Sequence, residues 1–173
     1  MAGGRRRKED LNRCLKYFIK LLNDNNINNW FIGYGTLLGI IRGNSCIHGD
    51  DDIDIVIDIN NRDKLINVLK KNNLYIRCDK GNFLKAQNTN ITDPCIVEFY
   101  MATVDEKGNF NDTWEKVIWS NCFNEQNELI KYMWNDNLLY LPFNYEQKLI
   151  NRYGNDWKIP QNSKGPTPRK LCI

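Results

Sequence analysis

The chain predicts an α+β domain in which helices pack on a mixed β-sheet. Three observations carry this expectation. Apolar residues recur at helical spacing between Arg6 and Asn25, "DDIDIVIDI" (51–59) alternates as a strand does, and "PCIVEFYMATV" (94–104) is a continuous apolar run enclosing one acid. The predicted order is helix, strand, helix, strand, helix and then several strands, which implies a sheet covered on one side.

Leu11, Cys14, Leu15, Phe18, Leu21 and Leu22 form the apolar stripe of the first helix. "NWFIGYG" reads as a short buried strand ending in a glycine turn, and "TLLGIIR" resumes helical spacing with Thr36 placed to cap its start. After the alternating strand, "NRDKLINVLKKNN" is a second amphipathic helix capped by Asn60 or Asn61. "LYIRCD" and "FLKAQ" are two strands joined by a turn around Gly81, and "DEKGNF" is a hairpin turn after the long apolar strand. Trp114, Val117, Ile118, Trp119 and Phe123 supply core or substrate-facing aromatic and apolar residues, without an assigned element. "NLLYLPF" is a strand, and "NYEQKLINRYG" is a short helix with Asn144 as N-cap and Gly154 beyond its last turn. The organisation is a basic, disordered tail (1–10), a single domain (11–160) and a proline-punctuated C-terminal tail (161–173).

Composition sets bounds on function. Hydrophobic residues make up 42% and charged residues 26%, as in an ordinary globular protein. No apolar run approaches the ~20 residues that span a bilayer, and the basic start lacks the hydrophobic segment of a secretory signal, so a cytoplasmic location is expected. The formal net charge is +3, yet Arg5, Arg6, Arg7 and Lys8 alone supply four positive charges. The remainder is slightly acidic, so no nucleic-acid partner is expected. Six cysteines stand apart without a CxxC pair, which favours reduced thiols packed as small hydrophobes.

The chemistry concentrates in residues 50–54. Side chains at i, i+2 and i+4 of a strand share a face, so Asp50, Asp52 and Asp54 point one way if the strand starts that early, and the isoleucines mark the core side. Neighbouring carboxylates on one face lie ~7 Å apart and repel by ~2 kcal/mol per pair at an effective dielectric of ~20. They must protonate, meet cationic side chains or coordinate a divalent cation. The third option fits best, because Asp-x-Asp offers two hard oxygen ligands from a rigid element. Glu98, alone in "CIVEFY", is a third acid, and beside the Asp52–Asp54 strand it would complete one metal site. An acidic loop plus a buried salt bridge is the bland alternative. "GYGT" after a strand and before a helix adds a place for phosphate at backbone N–H groups and the Thr36 hydroxyl. A strand–Gly–Thr–helix unit followed by two acid-bearing strands is the nucleotidyltransferase-fold arrangement.

"GTLLGIIRGNSCIHGDDDIDI" (35–55) resembles the signature of the LicD family, which includes bacterial phosphocholine transferases, fukutin and fukutin-related protein. "FLKAQNT", "IVEFYMATVD" and "LPFNYEQKLINRYGNDWKIP" resemble later segments of that family, over about residues 30–160 with 105–135 unmatched. Two departures are visible: His48-Gly49 stands where the family often has Pro-Trp, and Glu98 where it commonly has Asp. The resemblance implies a metal-dependent transferase, with Mg2+ or Mn2+, that moves a phosphorylated alcohol such as phosphocholine or ribitol phosphate from a CDP-linked donor to a glycan hydroxyl, releasing CMP. Asp52, Asp54 and Glu98 would hold metal, Glu98 also taking the acceptor proton, and Gly35 and Thr36 would bind the pyrophosphate. Lys85 and Arg42 would neutralise phosphate charge, unless Arg42 pairs with Asp50 or Asp51. Tyr153, Asp156 and Trp157 would close the nucleotide pocket or simply pack around Gly154. His48 would contact substrate or metal, or serve the turn alone, and Asp50 is a possible further acid on the same face. The rival readings are a nucleotidyltransferase moving NMP from an NTP to a hydroxyl and a non-catalytic binding module. Oligomeric state is left open.

Overall fold

The computed structural model describes residues 7–89, 95–161 and 170–173. Arg5 and Arg6 of the basic tail, and most of the proline-punctuated tail, lie outside these residues. Lys8 already opens the first helix, α1 (Lys8–Asp24), which buries Leu11, Cys14, Leu15, Phe18, Ile19, Leu21 and Leu22. The central strand β2 (Ile53–Asp58) pairs antiparallel with β1 (Trp30–Ile32) and parallel with β5 (Cys95–Val104). β4 (Phe83–Asn88) runs antiparallel on the other side of β5, and β3 (Tyr75–Asp79) on the outside of β4. The parallel pair needs a long crossover, which α3 (Arg62–Lys71), β3 and β4 provide. This mixed sheet with its helices is the predicted α+β class.

One face of the sheet carries Ile55, Ile57, Val97, Phe99 and Met101 and lies on α1, with Phe18 edge-on to Phe99 at 6.2 Å. The hairpin of β8 (Ile130–Trp134) and β9 (Asn137–Leu141) extends this layer, Tyr140 meeting Trp30 edge-on at 5.1 Å. The opposite face is covered too, which corrects the expectation of a one-sided sheet: β2 is buried at every position. Its cover comes from residues that carry no clear periodicity. β6 (Phe110–Asp112) continues from the end of β5, β7 (Val117–Trp119) pairs with β6, and Phe110 and Trp119 close on Phe31 at 5.1 and 5.2 Å. The last residues return to β7, where the Ile118 amide donates to the Leu171 carbonyl oxygen, the Ile173 amide donates to that of Ile118, and Ile173 is buried.

Helix starts differ from the sequence expectation. α2 spans Tyr34–Gly43 after Gly33, so Thr36 lies inside the helix and not at its cap. Asn60 and Asn61 belong to a 3-10 turn running straight into α3, leaving no open first turn to cap; the Asp58 side chain accepts from the Asn60 amide at 2.9 Å instead. Asn144 precedes α4 (Tyr145–Tyr153) in the left-handed conformation (φ 55°), which an asparagine tolerates, and makes no side-chain cap.

The cysteine expectation fails at one pair. Cys14 of α1 is disulfide-bonded to Cys95 at the start of β5, across 81 residues of sequence. Spacing could not reveal this, because only the packing of α1 across β5 brings the two together. Cys46 and Cys122 are free and buried, as small apolar side chains. In the chain-entropy account a loop of this length stabilises by about 4 kcal/mol. Peptide mapping without reductant should recover the Cys14 and Cys95 peptides as one cross-linked species, and Cys14→Ala should lower the thermal midpoint by several degrees.

Candidate active site

The parallel register sets Asp54 of β2 directly opposite Glu98 of β5. Asp52 lies just before β2, in the loop leaving α2, so the expected common strand face does not extend back to Asp50. Asp52 nevertheless joins the pair: ligand oxygens of Asp52, Asp54 and Glu98 all lie within 4.8 Å of one another. A second grouping of the same kind joins Asp50, Asp51 and Asp52.

Each acid is held. Asp54, 7% exposed, accepts the Gly35 amide on Oδ2 at 3.1 Å and the Tyr100 hydroxyl on Oδ1 at 3.1 Å. Its own amide donates to the Thr36 hydroxyl oxygen at 2.9 Å. Thr36 is therefore a brace between α2 and β2 from its place in the helix interior. The Tyr100 hydroxyl also lies 2.7 Å from Glu98 Oε2, so its one proton is shared between the two carboxyls, and Lys85 on β4 forms an ion pair with Glu98 Oε1. β4 and β5 are paired with Lys85 opposite Glu98, which explains the contact. A Cβ at position 35 would meet Asp50 Oδ2 at 2.8 Å and Asp54 Oδ2 at 3.4 Å, so any larger residue would have to displace the Asp50 carboxyl.

Burial, reinforced by the charges of Asp54, Glu98 and Asp51, pushes the Asp52 carboxyl up to about 9. Burial, then the Asp50 and Glu98 charges, pushes Asp54 up to about 7. Without a compensating cation the cluster thus retains protons at neutral pH. Lys85 is held above its ordinary value: burial opposes its charge, but the bond to Glu98 and the nearby Asp52 and Asp51 charges prevail. Convergent hard oxygen donors that resist sharing negative charge fit a metal cation.

The other residues singled out in the sequence divide. Tyr153 is half-buried at the end of α4, and burial pushes its phenol up to about 12, with Arg152 opposing and the Asp54 and Asp50 charges adding to the shift. Arg42 Nη1 donates to the Trp157 carbonyl oxygen at 3.4 Å, and Trp157 is buried, so both join α2 to the segment after α4. Asp156 is exposed and accepts from Gln161 Nε2 at 2.9 Å. His48 is exposed in the turn ahead of the acids. Sequence reasoning missed Tyr100, although it stands two residues beyond Glu98 on the same strand face. It also missed Tyr34, Asp112 and Arg152, which come together only in three dimensions.

A mixed sheet with a glycine turn, a helix, two acids on adjacent strands and a third in the loop before them defines a nucleotidyltransferase-type domain. Residues 27–148 match the family described as LicD/FKTN/FKRP, nucleotidyltransferase domain, and the chain belongs to that family of transferases. Tyr153, Asp156 and Trp157 lie beyond the matched residues. No curated protein matches the chain. Among solved structures, it is similar to the lincosamide antibiotic adenylyltransferase LnuA, lincomycin-bound, with TM-score 0.57 at 13% identity over 82% of this chain and 85% of that one. It is also similar to the antibiotic-resistance factor ANT(2'')-Ia in solution, with TM-score 0.55 at 12% identity over 78% of this chain and 66% of that one. At such identities the likeness is one of fold.

The raised carboxyls have a measurable sign. An Asp in an unfolded chain titrates near ~3.9, so between that pH and about 9 the folded, metal-free protein binds more protons than the unfolded one. The stabilising contribution is complete at low pH and is lost as pH rises through about 7 and then 9. The thermal midpoint of the metal-free protein should fall between pH 5.5 and 8.5 more steeply than that of Asp52→Asn. Mg2+ or Mn2+ should raise the wild-type midpoint more at pH 8.5 than at pH 5.5.

Proposed function

We propose that the chain transfers a phosphorylated alcohol from a CDP-linked donor to a glycan hydroxyl, releasing CMP, with Mg2+ or Mn2+ held by Asp52, Asp54 and Glu98. The observation that supports this most is the three-acid cluster beside the Gly35 amide, in a chain of the LicD/FKTN/FKRP family. The bound cation would neutralise phosphate charge and draw the donor to the acids. The donor pyrophosphate would lie at Gly35, at the N-terminus of α2, where backbone N–H groups favour an anion. Thr36 keeps that helix on β2, and Lys85 adds positive charge at the rim beside Glu98. The acceptor oxygen forms a bond to the phosphorus bearing the alcohol, the bond from that phosphorus to CMP breaks, and the acceptor proton passes to Glu98 and on to solvent. Lys85 and Tyr100 fix the Glu98 carboxylate during this step, which requires positioning more than covalent help.

A second reading, NMP transfer from an NTP to a hydroxyl, is favoured by the fold likeness to an adenylyltransferase. The two differ in their leaving groups. The Cys14–Cys95 bridge supports an oxidising compartment as the location, where the sequence led to the cytoplasm. Among the described residues no helix is long and apolar enough to cross a membrane.

Incubation with CDP-choline, CDP-ribitol and NTPs, each with Mg2+, separates the readings. CMP release from a CDP-alcohol is expected, and pyrophosphate release from an NTP with no CDP-alcohol turnover would replace this proposal with the second. Asp52→Asn and Asp54→Asn should each lower turnover by about two orders of magnitude or more while the circular dichroism spectrum is retained. Turnover unchanged in either variant would sink the metal assignment.

A further inference from the structure

Tyr34 is a residue whose backbone and side chain both call for explanation. Eleven non-glycine residues have positive φ among the described residues, and nine of them are asparagine or aspartate, the types that tolerate the left-handed region. Tyr34 is the aromatic exception, at φ 42°, and it is buried at the first position of α2. Its neighbours on both sides address the same residue: the Gly33 amide donates to the Asp54 carbonyl oxygen at 3.1 Å, and the Gly35 amide to Asp54 Oδ2 at 3.1 Å. The left-handed residue between them, at the first position of α2, turns both amides toward β2.

The side chain is fixed from four elements. Its hydroxyl donates to the fully buried Asp112 of β6 and accepts from Trp119 Nε1 of β7 at 3.4 Å. Its ring lies 4.7 Å from that of Tyr100 on β5, and the Arg152 guanidinium of α4 stands 4.6 Å from its centroid. Asp112 is itself anchored by the Trp114 and Glu115 amides at 2.9 and 3.2 Å. Arg152 is 7% exposed; its Nη2 lies 3.8 Å from Glu115 Oε2, while its Nη1 is buried without a hydrogen-bond partner.

We propose that Tyr34 is a positioning residue: clamped by Asp112, Trp119, Tyr100 and Arg152, it holds the glycine turn in the strained conformation that aims the Gly35 N–H at Asp54 and so fixes that proposed metal ligand. Its catalytic consequence rests on the proposed transferase reading; its structural consequence does not. Strain of this kind persists where surrounding contacts over-determine it.

Amide hydrogen exchange on the full-length, metal-free protein tests the clamp without metal or turnover. Tyr34→Phe keeps the ring and removes the hydroxyl, and Tyr75→Phe, at an exposed tyrosine, is the control. Tyr34→Phe should speed Gly35 exchange by about tenfold or more while Val97 and Phe99 stay within about twofold, and Tyr75→Phe should change none of them. With the nucleotide donor that supports turnover, Tyr34→Phe should lower kcat by about tenfold with donor KM within about threefold. Unchanged Gly35 exchange overturns the proposal, as does faster Gly35 exchange with kcat unaltered. If Tyr34→Phe does not fold, Trp119→Phe, which removes the indole donor, should shift Gly35 exchange in the same direction; no shift overturns it. A wild-type protein that turns over no donor refutes the transferase reading alone, and Gly35 exchange still decides the clamp.

Discussion

The parallel pairing of β2 with β5 is the constraint from which the site follows. It places Asp54 and Glu98 at one register across two hydrogen-bonded strands in the middle of the sheet, where neither carboxylate can swing away from the other. Asp52, entering from the loop, adds a third carboxyl to a place already crowded with them. The surroundings are arranged to keep that concentration of charge: the Tyr100 hydroxyl bridges two of the acids, Lys85 balances one of them, and the Gly35 amide addresses Asp54. Such crowding costs stability in the absence of a cation, and a fold that retains it does so where function and stability diverge.

What is local in the chain was legible in the sequence, and what is made by distant packing was not. The alternation of 53–58 and the apolar run of 95–104 gave the two strands, and the acids within them stood out because carboxylates are rare in such company. The glycine turn and α2 were readable from punctuation and helical spacing. Their relation was less so: Thr36 suggested a cap, whereas the helix begins two residues earlier and the hydroxyl accepts from a neighbouring strand. The short strands of 110–119 left little periodicity, since three residues define no period, and with them went the knowledge that the sheet is covered on both faces.

The same distinction applies to the site. Asp54, Glu98 and Lys85 converge because strand register brings them together, and Asp52 joins them from the loop just before β2. Arg42 and Trp157 meet instead in a packing contact between α2 and the segment after α4, a contact that spacing cannot predict. Tyr34 lies at the other extreme, since all its partners come from elements remote in sequence.

The Cys14–Cys95 bridge closes a covalent ring. Within it lie α1 from its middle onward, the glycine turn, Asp52, Asp54 and Lys85, while Glu98 stands three residues outside. A single cut in the exposed β3–β4 turn at Gly81 would therefore open the ring without releasing either piece. The strands on both sides of the cut would remain tethered through α1 to the strand that carries the third acid. The chain can lose its linear continuity there and still be one molecule, for as long as the sulfurs stay joined.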